Sequence, residues 1–339
     1  MKRLILMLVV LLVIAGGCQS KSGGVKSSPM TNLRAGPSQL ESRMRQVLTQ
    51  AVTAEDPVTR SHALEVYGQT NGAGVDEALR KGMGDTYPAV RFAAAVAAGD
   101  LKLESARLRL NELLKDENPA VKLAAGYALE RMSDSRFVDW YDKALRGADS
   151  QLAGQACLLL GKLGNTPRRT ESTSRLWQVI RKPNQDPVVK LQAAEALARL
   201  GDKTIIKSLM GYAYSGYADE RLLAISGLGY FPKAAEAVAM LEVLADDELA
   251  EVQLGAIRAL GPNAGEKYVE LARRQTGFVD PERDRERTIR VRGLALLALG
   301  AVGEKKDIGL LYKGLADSEA YLRLAAARAS VDLLKRIPK

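Results

Sequence analysis

The chain is poor in the residues that carry most site chemistry. It has one histidine, His62, and two cysteines, Cys18 and Cys157, in 339 residues. A single imidazole excludes multi-histidine metal sites, and cysteines so far apart exclude paired-cysteine zinc sites. Aromatic residues make up only 5% of the chain. No stretch alternates Thr, Val and Tyr in the manner of a half-buried strand. There is no phosphate-cradling glycine loop and no nucleophile elbow. These absences leave no basis for an enzyme, a metal or a cofactor. An uninterrupted apolar run occurs at residues 4–14, and it is shorter than the ~20 residues a membrane-spanning helix needs.

Lys2 and Arg3 precede that run and Ala15-Gly16-Gly17-Cys18 follows it. A basic start, an apolar segment of this length and small residues before a cleavage point form an export leader. The last four residues resemble a bacterial lipobox, although Ala15 stands where leucine is commoner. The resemblance implies a signal peptide at 1–17 and a diacylglycerol on the Cys18 thiol. It also implies a place in the bacterial cell envelope, held by lipid, with Gln19 favouring the outer membrane and the periplasmic side. Residues 18–37 are polar and rich in Gly, Ser and Pro, which reads as a flexible tether. Loss of Lys2 and Arg3 with the leader lowers the net charge from +9 to +7. That excess is too mild to mark a nucleic-acid binder. Cys157 is left without a partner for a disulfide.

What the chain has in quantity is repetition. A helical signature recurs nine times, centred on Ala63, Ala94, Ala125, Ala156, Ala193, Ala224, Ala256, Ala295 and Ala326, at spacings of 31, 31, 31, 37, 31, 32, 39 and 31 residues. A period in this range means stacked units rather than one core. Each unit has room for two helices. First helices are expected to include residues 40–52, 108–114, 137–145, 176–180, 205–210 and 308–315, and second helices carry the signature. Asp56-Pro57, Asn118-Pro119 and Asp186-Pro187 supply an N-cap and a first-turn proline, and Tyr87-Pro88 keeps the proline. Ser38 and Glu41 are a candidate capping box for the first helix, and Pro338 a stop for the last. Counted from each alanine, offsets 0, 3 and 4 form one apolar stripe. Offset 5 is glycine in Gly68, Gly99, Gly161, Gly229, Gly261 and Gly300, either to end the helix in a left-handed turn or to thin it.

The stretches Asp56-Pro57-Val58-Thr59-Arg60-Ser61-His62-Ala63-Leu64 and Asp186-Pro187-Val188-Val189-Lys190-Leu191-Gln192-Ala193-Ala194 resemble HEAT repeats, in particular the short HEAT-like repeats first named from phycobilin lyases. The resemblance implies an all-α α-solenoid over residues 38–339, a right-handed superhelix of about nine helix pairs with an armadillo-type fold. It covers nearly the whole mature chain and is specific for fold, not function. The lone histidine excludes the paired His-Glu site of HEAT-like di-iron hydroxylases.

A cation stands three residues before the alanine in seven units: Arg60, Arg91, Lys122, Lys190, Arg221, Arg292 and Arg323. The column reads as a structural ladder to turn carboxylates or carbonyls. Units four and seven, with Ala153 and Gln253, lack it. Offsets −1, 2 and 6 share the side of each second helix away from the apolar stripe. In this fold that side lines the concave surface. The candidate partner-binding face is therefore Tyr127, Arg131, Lys162, Glu195, Arg199, Ser226, Tyr230 and Arg258, with Arg328 in the same columns. Tyr and Arg are the usual anchors of protein recognition. The two long spacings fall at 164–170 and 280–287 and read as surface insertions. Tyr212, Tyr214, Tyr217, Tyr230 and Phe231 are a further aromatic concentration. Cys157 occupies an apolar column and reads as packing. The functional expectation is a non-catalytic scaffold that binds a protein partner and meets the membrane through its lipid anchor, with no nucleic acid. The alternative is a bilin-lyase-like, small-ligand role.

Overall fold

The computed structural model describes residues 35–337 except 71, 73, 135, 165 and 167. The leader, Cys18 and the tether up to residue 34 lie outside the described residues, as does Pro338. Among the described residues there are eighteen α-helices and no strand, and no helix is long and apolar enough to cross a membrane. The helices form nine consecutive pairs. The first three are α1 (Pro37–Ala51) with α2 (Pro57–Tyr67), α3 (Val75–Gly82) with α4 (Pro88–Asp100), and α5 (Arg107–Leu113) with α6 (Pro119–Arg131). Next come α7 (Val138–Arg146) with α8 (Ser150–Lys162), α9 (Arg169–Arg181) with α10 (Pro187–Arg199), and α11 (Ile206–Ala213) with α12 (Ala218–Leu228). The last are α13 (Ala235–Leu244) with α14 (Ala250–Leu260), α15 (Glu266–Gln275) with α16 (Arg285–Val302), and α17 (Ile308–Gly314) with α18 (Ala320–Arg336).

Local chemistry sets the helix starts. The Asp56 carboxylate accepts from the N–H groups of Val58 at 3.3 Å and Thr59 at 2.8 Å. Asn118 accepts from Ala120 at 2.9 Å, and Asp186 from Val188 at 2.8 Å. Each satisfies N–H groups that a first turn leaves without partners. The first helix departs from expectation. Pro37 has the φ and the missing N–H of a first helical residue, so α1 begins there and Gly36 is its cap. The Gly36 N–H donates to Gln39 Oε1 at 2.7 Å, whereas Ser38 is exposed and Glu41 pairs with Arg45 at 2.8 Å.

All nine signature alanines are completely buried. They lie in equivalent places, on the second helices, which stack side by side as an inner layer while the first helices form an outer one. The expected α-solenoid is the observed fold. Its last turn meets its first: α1 packs against α17 and α18, and α18 packs against α2. Nine pairs thus complete a circuit, and the solenoid is a closed ring.

Most joints in the inner layer share one device. A Cβ on Gly68 would lie 2.5 Å from the Ala97 Cβ, and one on Gly99 2.6 Å from the Ala128 Cα. The corresponding distances are 2.9 Å from Gly161 to the Ala196 Cα and 2.5 Å from Gly300 to the Ala329 Cα. Glycine here thins the helix so that the small offset-3 residue of the next unit can approach. Only Gly261 takes the left-handed role, with φ +51 at the end of α14.

The cation column forms a ladder between units. Arg60 donates to both oxygens of Asp85 at 2.8 Å, and Arg91 to both of Asp116 at 2.7 and 2.8 Å. Arg292 reaches Asp317 at 2.7 Å and Arg221 reaches Asp247 at 3.5 Å. The same arginines bond carbonyls of their own turns, as Arg323 does to Asp317 and Ser318. Among the described residues Lys122 and Lys190 form no such bridge, because the position that holds Asp85, Asp116 or Asp317, 25 residues on, is Gly147 and Ser215 in their units.

Candidate functional site

Closure of the ring changes the setting of the concave face. The offset-2 and offset-6 side chains no longer line an open groove; they project into a lumen and meet one another across it. Lys162 of α8 binds Asp100 of α4 at 2.7 Å, passing over the unit between them. The Tyr127 hydroxyl donates to the same Asp100 at 2.5 Å. Tyr127 is fully buried, so it acts as a fixed post for Asp100 and not as an accessible anchor. Burial, and then the Asp100 charge, raise its pKa above the ordinary tyrosine range.

Glu195 is also buried. It accepts from Ser226 Oγ at 3.2 Å and pairs with Arg199 at 3.6 Å. Burial raises its pKa, while Arg199 opposes the rise. The Arg199 guanidinium stacks over the Tyr230 ring, 5.3 Å from its centroid, and Tyr230 remains 39% exposed. Arg131 is half-buried at the end of α6, and its Nε has no hydrogen-bond partner among the described residues. Arg258 is half-buried on α14, close to Arg328 and Asp332 of α18. The eight expected residues therefore do converge, but mostly as a self-paired interior.

Four acidic or phenolic lumen residues were missing from the expected face: Glu65, Asp100, Tyr321 and Asp332. Glu65 occupies the offset-2 column, and Asp100 and Asp332 the offset-6 column, so the column rule would have found all three. Tyr321 lies outside those columns. Glu65 faces Lys162, Arg328 and Asp100, and its Oε2 is buried without a hydrogen bond among the described residues. Burial drives its pKa up to about 8, although Lys162 and Arg328 pull the other way.

Other expected features resolve differently. Each insertion ends in the first turn of a helix. Residues 164–170 lead into α9, whose preceding Arg168 reaches back to Glu130 at 3.5 Å. Residues 280–287 extend α16 at its start, around a buried Asp280 that binds Arg287 at 2.8 Å. The five clustered aromatics form no common pocket. Phe231 is buried, Tyr230 faces the lumen, and Tyr214 and Tyr217 stand 74% and 73% exposed on the α11–α12 turn. Cys157 is fully buried and burial pushes its thiol up to about 12, so it is inert as a nucleophile at neutral pH. His62 is half-buried, and burial lowers its pKa against a weaker pull from Asp56. A cleft of about 550 Å³ on α7, lined by Asp139, Asp142, Lys143, Arg146 and Gly147, lies away from the lumen. Its Asp142 is taken by Arg175 at 2.8 Å.

Residues 44–130, 77–146 and 106–198 match the family model for HEAT repeats. No curated protein matches the chain. Among solved structures, the complex of CpcE and CpcF of phycocyanin lyase from Nostoc is similar at 20% identity, covering 80% of this chain and 98% of that one, with a TM-score of 0.43. Human deoxyhypusine hydroxylase in complex with glycerol is similar at 20% identity, covering 78% and 98%, with a TM-score of 0.37. An engineered protein is similar at 17% identity, covering 86% and 98%, with a TM-score of 0.32. These values carry no functional argument.

Proposed function

Since this is a HEAT-repeat protein, we propose that it serves as a non-catalytic scaffold, anchored to a bacterial envelope membrane through lipidated Cys18, that holds a protein partner. The anchor rests on the leader and the lipobox-like Ala15-Gly16-Gly17-Cys18. The partner reading rests on one observation above others. Five of the eight exposed large apolar and aromatic side chains stand at turns within units, Val58, Tyr87, Tyr214, Tyr217 and Val279, while Leu108 and Val243 lie on outer helices and Tyr230 faces the lumen. Exposed tyrosines on rigid turns give contact area at low entropic cost. α1 runs from its start near Ala35 toward its turn, so Ala35 lies on the opposite rim.

Photocrosslinkers placed at Tyr214 and Tyr217 in native membranes should capture one specific protein. Repeated capture of none defeats the scaffold reading. Cys18→Ser should release the protein from membranes and remove the lipid mass; an unchanged membrane fraction together with an unchanged mass defeats the anchor.

A further inference from the structure

The joint between units three and four is built unlike its neighbours. Glu130 stands in the glycine column of α6, opposite Leu159 of α8, and α8 is the one helix of unit four that packs substantially on unit three. No ladder bridge crosses it, because Lys122 and Gly147 occupy the ladder positions. Buried polar atoms without a hydrogen bond among the described residues also collect on the pieces that meet there. They are both carboxylate oxygens of Glu130 and Nε of Arg131 on α6, the Tyr141 hydroxyl on α7 and the Thr166 hydroxyl on the turn after α8. Glu130 and Tyr141 are only 6% and 2% exposed. Elsewhere such atoms occur singly, at Glu65 and Arg221.

Two ties hold this joint. Arg168, just before α9, reaches back to Glu130 at 3.5 Å, longer than a well-formed hydrogen bond. The stronger tie is on the lumen side. Asp100 of α4 takes Lys162 of α8 at 2.7 Å and the Tyr127 hydroxyl of α6 at 2.5 Å. One carboxylate thus links three successive inner helices and closes over the joint. The pair is within reach of solvent, with 19% of the Lys162 and 34% of the Asp100 side-chain surface exposed. Opening the joint would return the Glu130, Tyr141 and Thr166 groups to water and recover the hydration they lack when it is shut. Opening a glycine-packed joint would expose mainly apolar surface, which water opposes.

We infer that the joint between units three and four is a hinge at which the ring opens and closes, and that the Asp100–Lys162 pair is its clasp. The charge pair stabilises the shut form. The unpartnered polar groups behind it favour the open form. One joint can therefore move while the joints packed by glycine, and the closing joint filled by α1, stay shut. The device is internal to the fold and does not rest on the scaffold reading, so its test needs no protein partner.

The test is pulsed electron paramagnetic resonance on the detergent-solubilised full chain, with spin labels on non-canonical residues so that neither cysteine reacts. One label pair, at exposed Thr86 and Ala148, spans the hinge; a control pair, at exposed Glu248 and Ser318, spans units seven to nine. Lys162→Met should add a longer-distance population to the first pair and leave the second as in the parent. Asp100→Asn keeps an acceptor for Tyr127 and should do the same, and it carries the test if Lys162→Met fails to fold. In either variant, native-state hydrogen exchange of the α8 amides should quicken about fivefold, with α16 unchanged. Adding Glu130→Leu removes the buried carboxyl and should return the first pair to the shut distance. Unchanged distances in both clasp variants, equal lengthening of both label pairs, or a longer population that survives Glu130→Leu overturns the proposal.

Discussion

The inner layer of the ring has two kinds of joint. At most of them a residue no larger than alanine faces another across neighbouring second helices: Gly68 with Ala97, Gly99 with Ala128, Gly161 with Ala196, Gly229 with Ala259, Gly300 with Ala329. At two the equivalent positions are large. Glu130 stands opposite Leu159 between α6 and α8, and Val331 opposite Val66 between α18 and α2. Those are the two sparsest contacts between inner neighbours. The ladder is also missing at the first of them, since Gly147 stands where a bridging aspartate would and Lys122 forms no ion pair among the described residues. The ring is thus loosest between units three and four, whereas at the closing joint α1 fills in against α17 and α18. Backbone proximity in a repeat array is set by the smallest residue in each facing pair. One carboxylate side chain in the glycine column is enough to hold two helices apart.

The largest effect is expected beside the closing seam. Glu65 of α2 has a folded pKa near 8, above the ordinary 4.5. Across that window the folded state keeps a proton that the unfolded state has lost, so stability falls as pH rises and is level beyond it. Glu65→Gln should abolish the slope. Above pH 8 it should be more stable than the parent by on the order of 4 kcal/mol, measured by urea unfolding at a series of pH values; parallel curves for both proteins refute this.

Breaking a tight joint comes next. Gly99→Val would drive side-chain atoms into the Ala128 backbone and should cost about 2–3 kcal/mol by the same measurement. Leu158→Val on α8, a half-buried lumen residue away from any tight pair, should cost about 1 kcal/mol.

The ladder gives a smaller contrast. Burial raises the Asp116 carboxyl, but the Arg91 fork and the Asn118 N–H more than offset this and leave its pKa below the usual range. Its contribution is present above the unfolded pKa and is lost as pH falls through the folded one. Arg91→Ala should cost about 2 kcal/mol at neutral pH and much less in acid. Lys122→Ala should stay within about 0.5 kcal/mol.

The smallest effect is local. Native-state hydrogen exchange should show amides at the α6–α8 seam opening at lower free energy than those of α4 or α16. Uniform protection around the ring would erase the distinction between tight and loose joints.

Much of this was legible before any coordinates. The nine alanines, the proline starts and the cation ladder are local or repeat-equivalent, so one unit's chemistry predicts the next. The offset-2 and offset-6 columns of the candidate face also hold Glu65, Asp100 and Asp332, which the sequence pattern alone does not single out. An open groove gives no reason to look for opposite charges, whereas a lumen makes them meet. The capping box at Ser38 failed because a proline one position earlier outranks a side-chain cap.

The amino-acid order alone determined the unit, its period and which side of each second helix is oily, since these follow from helical geometry and side-chain size over a few residues. The tertiary structure decided that the ninth pair returns to the first. Closure depends on the small rotation between neighbouring pairs summed over the whole circuit, and no single repeat contains that sum. With closure came the setting of Glu65, which faces Arg328 of the ninth unit, because only a completed ring brings the first and last units face to face.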